Sequence, residues 1–216
     1  MNPQLCFILV LVVMIIIIIF LDRKYGMLRD TSTAVNKPYS FSRVQLAWWT
    51  LIVLSSFVAI FIVKCDVATL HRSQLILLGI SAATITAARM IDISDNNNPT
   101  VQFRSQDSDS DNFLLDILSD ENGVSINRFQ ALVFNLVFGI WFIIKVIQNI
   151  DGVADPSLIM PVLSDNNLLL IGLSSGTYAA LKTTENKGTT PPAPTVAPVP
   201  QNSAAPVVTN TTPPVS

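Results

Sequence analysis

One apolar run of this chain opens with the stretch SRVQ at residues 42–45, and a second opens with NRFQ at residues 127–130. Each run is followed by another, which carries LGISAAT at 78–84 in the first copy and IGLSSGT at 171–177 in the second. A basic residue then closes each copy at the same offset. A duplicated pair of apolar segments predicts a pseudo-symmetric unit built from two helix pairs.

The composition indicates a protein whose main solvent is lipid. Half of the residues are hydrophobic and 13% are charged, against about 25% charged in ordinary soluble domains. Residues 5–21 hold no charge and nearly suffice to cross a hydrocarbon core of about 30 Å. Because Arg23 and Lys24 follow this run and no basic residue precedes it, we expect an uncleaved anchor rather than a secretory signal. Further spans are expected at 44–63, 74–90, 129–148 and 166–182.

The predicted fold class is an all-α membrane protein with five transmembrane helices. An even number of spans separates the two copies, so we expect two parallel pseudo-repeats of a helix pair, joined to an N-terminal anchor helix and a disordered C-terminal tail. The expected segments are the N-terminal transmembrane anchor (1–21), a cytoplasmic basic loop (22–43), helix-pair repeat 1 (44–90), a cytoplasmic acidic loop with a short amphipathic helix (91–127), helix-pair repeat 2 (128–182) and the tail (183–216).

The distribution of Lys and Arg predicts the orientation. The segment 22–43 holds five of the 13 Lys and Arg residues, which favours a cytoplasmic position for it. The N-terminus then lies outside, and the acidic loop and the C-terminus lie in the cytoplasm.

Small residues recur at matching places in the two copies, and small side chains let transmembrane helices approach closely. Helix packing is therefore the favoured role for this set, and a pore or ligand lining is the alternative. The set comprises Gly79, Ser81, Ala83, Thr84, Gly172, Ser174, Gly176 and Thr177.

A second matched set begins at the two arginines. Thr50 follows Arg43 by seven residues and Asn135 follows Arg128 by seven, so each pair shares one helix face. We expect the arginines to reach lipid headgroups, with the neighbouring tryptophans in the interfacial belt. The residues that are candidates for the interface or for a pore mouth are Arg43, Gln45, Thr50, Arg128, Gln130 and Asn135.

The loop between the copies and the C-terminal tail are polar. The spacing Asp107-x-Asp109-x-Asp111 resembles the start of a calcium loop, but Asn112 and Leu118 stand where glycine and glutamate are required, so we expect a solvated acidic loop. Residues 111–118 form the expected amphipathic helix. The tail holds eight prolines and no charge after residue 187, which is typical of a disordered, partly polyproline II segment. A cytoplasmic partner for this tail is the alternative to a plain linker.

The chain resembles a family of uncharacterised bacterial multi-pass membrane proteins with duplicated helix pairs. The resemblance covers roughly residues 39–185 and implies a bacterial source and an inner-membrane location, but no mechanism. The acidic stretch 92–112 and the tail are peculiar to this chain. The stretches that carry the resemblance are YSFSRVQ (39–45), LGIS (78–81), LSD (118–120), RFQ (128–130) and GLSSGTY (172–178), with Gly123.

The sequence shows no set of residues with a recognisable catalytic pattern. The single histidine, His71, is expected to be a surface residue, and no convergent metal ligands, cofactor motif or basic patch for nucleic acid is found. We therefore expect no enzyme activity and no cofactor. Cys6 and Cys65 lie on the same expected outer face, where a disulfide could form, although two separate thiols are favoured.

These patterns favour a structural or scaffolding integral membrane protein. Its partners would be membrane lipid and either further copies of itself or another membrane protein, since small-residue faces offer packing surface. The alternative is a homo-oligomeric ion channel or small transporter with a polar path between the repeats.

Overall fold

The computed structural model describes residues 2–98, 101, 107, 109–110, 112–120 and 123–185. Over these residues the chain is mostly helical, and the predicted disordered tail lies outside them from residue 186 onward. The elements are α1 (Pro3–Tyr25), α2 (Phe41–Lys64), α3 (Arg72–Asn96), α4 (Phe113–Leu118), β1 (Ser119–Asp120), β2 (Gly123–Val124), α5 (Ile126–Gly152), a 3-10 turn (Pro156–Leu158) and α6 (Asp165–Lys182).

Four of the described helices are long and apolar enough to cross a membrane: α1, α2, α3 and α5. Their apolar stretches have mean hydropathies between 1.6 and 3.4. Helix α6 has 18 residues but begins with Asp165, Asn166 and Asn167 and is rich in Gly and Ser. It is not among the four, so a fifth span stays a prediction.

The ends of α1 show why the chain turns where it does. The side chain of Asn2 caps the first turn by accepting a hydrogen bond from the Gln4 amide at 3.0 Å, and Pro3 occupies the first helical position. Gly26 ends the helix with φ at 63°, a left-handed conformation that glycine adopts without strain. The buried Asp22 carboxylate then accepts a hydrogen bond from the Leu28 amide at 2.9 Å and holds the turn.

The long helices form a closed arrangement. Helix α2 packs against α3 and α5, and α6 packs against the same two helices, while α1 lies outside along α2 and α5. The interior holds large apolar side chains from all five long helices, among them Trp49, Ile52, Leu77, Phe142 and Ile171. Each of these five residues is fully buried.

Asn135 on α5 joins the two halves of the bundle. Its Oδ1 atom accepts a hydrogen bond from the Trp49 indole at 2.6 Å, and its backbone carbonyl accepts one from the Trp48 indole at 2.9 Å. The side-chain amide nitrogen of Asn135 donates to the Ala131 carbonyl at 2.7 Å. We expected both tryptophans in an interfacial belt, but Trp49 is fully buried and Trp48 is only partly exposed. Buried indole N–H groups need an acceptor inside the protein, because hydrocarbon offers none.

Two loops cover one end of the bundle and form what we call the cap: residues 26–40 and the described part of 107–125. The Asp107 and Asp109 carboxylates accept hydrogen bonds from the amides of Thr33 (2.8 Å) and Asn36 (3.0 Å). The described part of the acidic loop is thus tied to the first loop rather than simply solvated. Asp111 lies outside the described residues, and one carboxylate oxygen of each of the other two aspartates accepts one of these backbone hydrogen bonds.

Helix α4 and the strands close the cap against the bundle. Asn112 caps α4 through a hydrogen bond from the Leu115 amide, and Ile117 is 1% exposed beneath it. The antiparallel hairpin of β1 and β2 follows, with Ser119 opposite Val124. The predicted amphipathic helix therefore packs against the ends of α2 and α5.

The contact between α2 and α5 depends on Gly139. A β-carbon built at Gly139 would lie 2.4 Å from the Trp48 Nε1 atom, and the ring could move only by giving up its hydrogen bond to Asn135. We predict that Gly139→Ala lowers the free energy of unfolding by about 1–3 kcal/mol through overpacking. Thermal unfolding in detergent, followed by circular dichroism, measures the loss.

Gly152→Ala is the matched control for this prediction, because a β-carbon at Gly152 meets nothing within 4 Å. Equal unfolding temperatures for both variants would show that the close approach of Trp48 to α5 contributes nothing to stability.

Candidate functional site

Charged side chains from three helices meet beneath the cap. This group, which we call the charged cluster, consists of Asp92 on α3, Arg128 on α5, Tyr178 and Lys182 on α6, and Glu185 just after α6. A polar cavity of about 110 Å³ lies between the cap and the cluster, and a second of about 210 Å³ opens beside it. The cluster is the main concentration of buried charge in the part of the chain that the structure describes.

Lys182 forms an ion pair with Asp92. The Nζ atom lies 3.1 Å from the Asp92 Oδ1 atom, and the two side chains are 5% and 9% exposed. Removing both charges from water is costly, and the attraction between them offsets that cost only while both are present. The pair therefore fixes the end of α6 against α3.

Arg128 makes a second, denser set of contacts. Its Nη2 atom lies 2.9 Å from both carboxylate oxygens of Glu185, and its Nη1 atom donates to the Ser119 carbonyl. The guanidinium carbon also lies 5.3 Å from the centre of the Tyr178 ring, close enough for a cation–π contact. Arg128 thus joins α5, α6 and the hairpin, whereas the sequence led us to expect it among lipid headgroups.

Arg43, the counterpart of Arg128, has different surroundings. It is partly exposed and donates to the Met27 carbonyl at 3.5 Å and to the Thr31 hydroxyl at 3.3 Å. Within a single chain, the structure therefore places the two arginines in unlike environments.

The remaining members of the arginine set are also separated. Gln45 is buried and donates to the Ser175 hydroxyl at 2.7 Å, whereas its counterpart Gln130 is exposed. Thr50 lies against α1, and Asn135 holds the tryptophans inside the bundle. These four side chains therefore do not line one path in the described structure.

The hydroxyl groups of the small-residue set bond within their own helices. Ser81, Thr84, Ser174 and Thr177 donate to backbone carbonyls four residues earlier, at 2.8 to 3.1 Å. The first three of these side chains are buried. A hydroxyl bonded in this way is satisfied without solvent, which suits a packed helix contact.

The glycines and alanine of the same set lie mostly on the outside. Gly79, Ala83 and Gly176 are exposed, and a β-carbon on either of these glycines would meet nothing within 4 Å. Gly172 alone faces a neighbour, since its β-carbon would lie 3.5 Å from the Ile80 Cδ1 atom on α3. The close approach expected from Gly79, Ala83 and Gly176 is therefore not made within a single chain.

Sequence reasoning missed several buried polar residues. Asp92 and Glu185 were counted as loop and tail residues, and Gln74, fully buried, donates to the Pro161 carbonyl at 2.9 Å. Their partners are distant in the sequence, so no local pattern reveals them. The one sequence feature that could have indicated their burial was an isolated glutamine or acidic residue at the end of an apolar segment.

The cysteines and the metal-ligating residues complete the survey. Cys6 is a buried free thiol and Cys65 an exposed one. Within the described residues, no group of three or more His, Cys, Asp or Glu side chains is placed to hold a metal ion.

Comparison with known proteins gives no match to a family model, to a curated protein or to a solved structure. The resemblance to bacterial multi-pass proteins therefore stays a prediction.

We predict that Asp92→Asn lowers the free energy of unfolding by about 3 kcal/mol, because it leaves the Lys182 ammonium buried without its anion. The double variant Asp92→Asn/Lys182→Met should recover part of this loss, since no unpaired charge remains. Thermal unfolding of the three proteins in one detergent tests both statements. An unfolding temperature for Asp92→Asn equal to that of the unmodified chain would exclude a structural role for the pair.

Proposed function

We propose that this chain is a structural or scaffolding integral membrane protein that assembles with further copies of itself or with another membrane protein. The observation that supports this most directly is the small-residue surface, which we define as the exposed faces of α3 and α6. Its described members are Leu75, Gly79, Ala82, Ala83 and Thr86 on α3, with Leu169, Leu173, Gly176 and Ala180 on α6.

The spacing of these residues supports a helix-docking role. On α3 they recur every three to four positions, which places them along one helix face. Helices α3 and α6 also contact each other, so the two faces belong to one side of the bundle. Since lipid gives no hydrophobic drive for association, close backbone approach at small residues is the main way that such faces bind another helix.

The placement in a membrane follows from the outer surface of the bundle. The α1 side chains Leu9, Ile16 and Phe20 are more than half exposed, as expected of a helix that faces lipid. We place the cap in the cytoplasm, because most of the described basic residues lie at that end. The N-terminus is then outside, and a bacterial inner membrane rests on the resemblance alone.

We further propose that α6 completes five spans and that the two helix pairs are pseudo-repeats. Support comes from the pairing of helices: α2 packs with α3 as α5 packs with α6, and α2 meets α5 as α3 meets α6. The same packed helix pair thus recurs in both copies, as a duplicated pair of segments predicts.

Transport is less well supported than assembly. A polar path would need the hydroxyls and amides of the repeats to face water, but Ser81, Ser174 and Asn135 bond to carbonyl groups of their own helices. The proposal likewise assigns no catalytic step to the charged cluster, whose contacts are those of a structural ion-pair network.

We predict that Gly79→Leu/Gly176→Leu lowers the affinity of association by at least about tenfold, or about 1.4 kcal/mol. The fold of the single chain should persist, because both positions are open in the isolated protein. Native mass spectrometry and crosslinking of protein from its own membranes measure the assembly.

Gly152→Leu is the matched control, since Gly152 is equally open but lies at the end of α5. Loss of a co-purifying membrane protein in the double variant would support a hetero-complex. A chain that is monomeric and without a partner in crosslinked native membranes would contradict the proposal.

A further inference from the structure

An apolar crevice lies between α1 and α2 near the cap. Its volume is about 350 Å³, and its walls include Met14 and Ile17 from α1, Leu46 and Ala47 from α2, and Ile85 from α3. Thr50 also lines it, two helical turns along α2 from Arg43, which is about 10 Å. The crevice therefore extends from the end of the bundle toward the hydrocarbon depth of the membrane.

Two cationic side chains meet at the Thr31 hydroxyl, beside this crevice. Arg43 lines the crevice itself, and its Nη2 atom donates to the Thr31 hydroxyl at 3.3 Å. Arg89, exposed on α3, donates its Nη1 atom to the same hydroxyl oxygen at 2.7 Å. One neutral oxygen thus serves two guanidinium groups, which repel each other.

Neither of these arginines has a counterion in the part of the chain that the structure describes. No described carboxylate lies within 4.0 Å of either guanidinium, whereas Arg128 and Lys182 each have a carboxylate partner. Asp92, the acid one helical turn beyond Arg89, forms its ion pair with Lys182. An anion placed between Arg43 and Arg89 would relieve their repulsion and accept hydrogen bonds from both.

We propose that this crevice is a binding site for an anionic phospholipid. The lipid phosphate lies between Arg43 and Arg89, and an acyl chain fills the crevice between α1 and α2. Charge complementarity favours an anionic headgroup. The apolar walls favour a ligand with an acyl chain over free phosphate. Most of the crevice walls come from α1 and α2, whereas the small-residue surface lies on α3 and α6.

The test uses the full chain in detergent, titrated with phosphatidylglycerol or phosphatidylcholine, with bound lipid counted by native mass spectrometry. The unmodified chain should retain phosphatidylglycerol preferentially. Arg43→Gln/Arg89→Gln should weaken that retention about tenfold or more, since each basic residue near an anionic lipid contributes favourably. Arg23→Gln/Lys24→Gln is the matched control, because it removes two exposed charges from the same end of α1 without altering the crevice.

A second variant separates the contribution of the lipid acyl chain from that of the headgroup. Ala47→Phe should weaken phosphatidylglycerol retention at unchanged charge, because the larger side chain occupies the crevice. If the arginine variant does not fold, Ala47→Phe still tests the proposal. Inorganic phosphate should not compete with the lipid. Equal weakening by both charge variants, unchanged retention in Ala47→Phe, or displacement by inorganic phosphate at lipid concentrations would each overturn the proposal.

Discussion

The bundle depends on one residue, Asn135, whose side-chain and backbone carbonyl oxygens each accept a hydrogen bond from a tryptophan. The side-chain oxygen of Asn135 accepts a hydrogen bond from the Trp49 indole, and its backbone carbonyl accepts one from the Trp48 indole. Gly139 leaves the space in which the Trp48 ring lies. In hydrocarbon each of these indole groups would lose its hydrogen bond outright. Both indole groups keep a hydrogen bond when α2 packs against α5, and this contact brings the two helix pairs together.

The need to pair buried polar groups also explains the arrangement of charges beneath the cap. Lys182 is buried and Arg128 half-buried there because Asp92 and Glu185 are buried with them, and Tyr178 lies against the arginine. Pairs of this kind are sensitive to loss of one partner rather than strongly stabilising in themselves. They make the ends of α3, α5 and α6 fit together in one arrangement.

The two copies have diverged in what their matching residues contact. Arg128 is committed to Glu185, while Arg43 shares the Thr31 hydroxyl with Arg89 beside an apolar crevice. Within the described residues, Arg43 and Arg89 of the first copy have no carboxylate partner, whereas Arg128 and Lys182 of the second copy are ion-paired.

The sequence by itself determined the apolar helices and where they begin. Hydrophobicity and capping act over a few residues, so α1, α2, α3 and α5 could be predicted within a few positions, as could the amphipathic α4. Only the tertiary structure decided which of the two arginines pairs with a carboxylate and whether Gly79 faces a neighbour. Those outcomes depend on partners such as Glu185, 57 residues from Arg128, and no local pattern records which distant group will fill or neutralise a site.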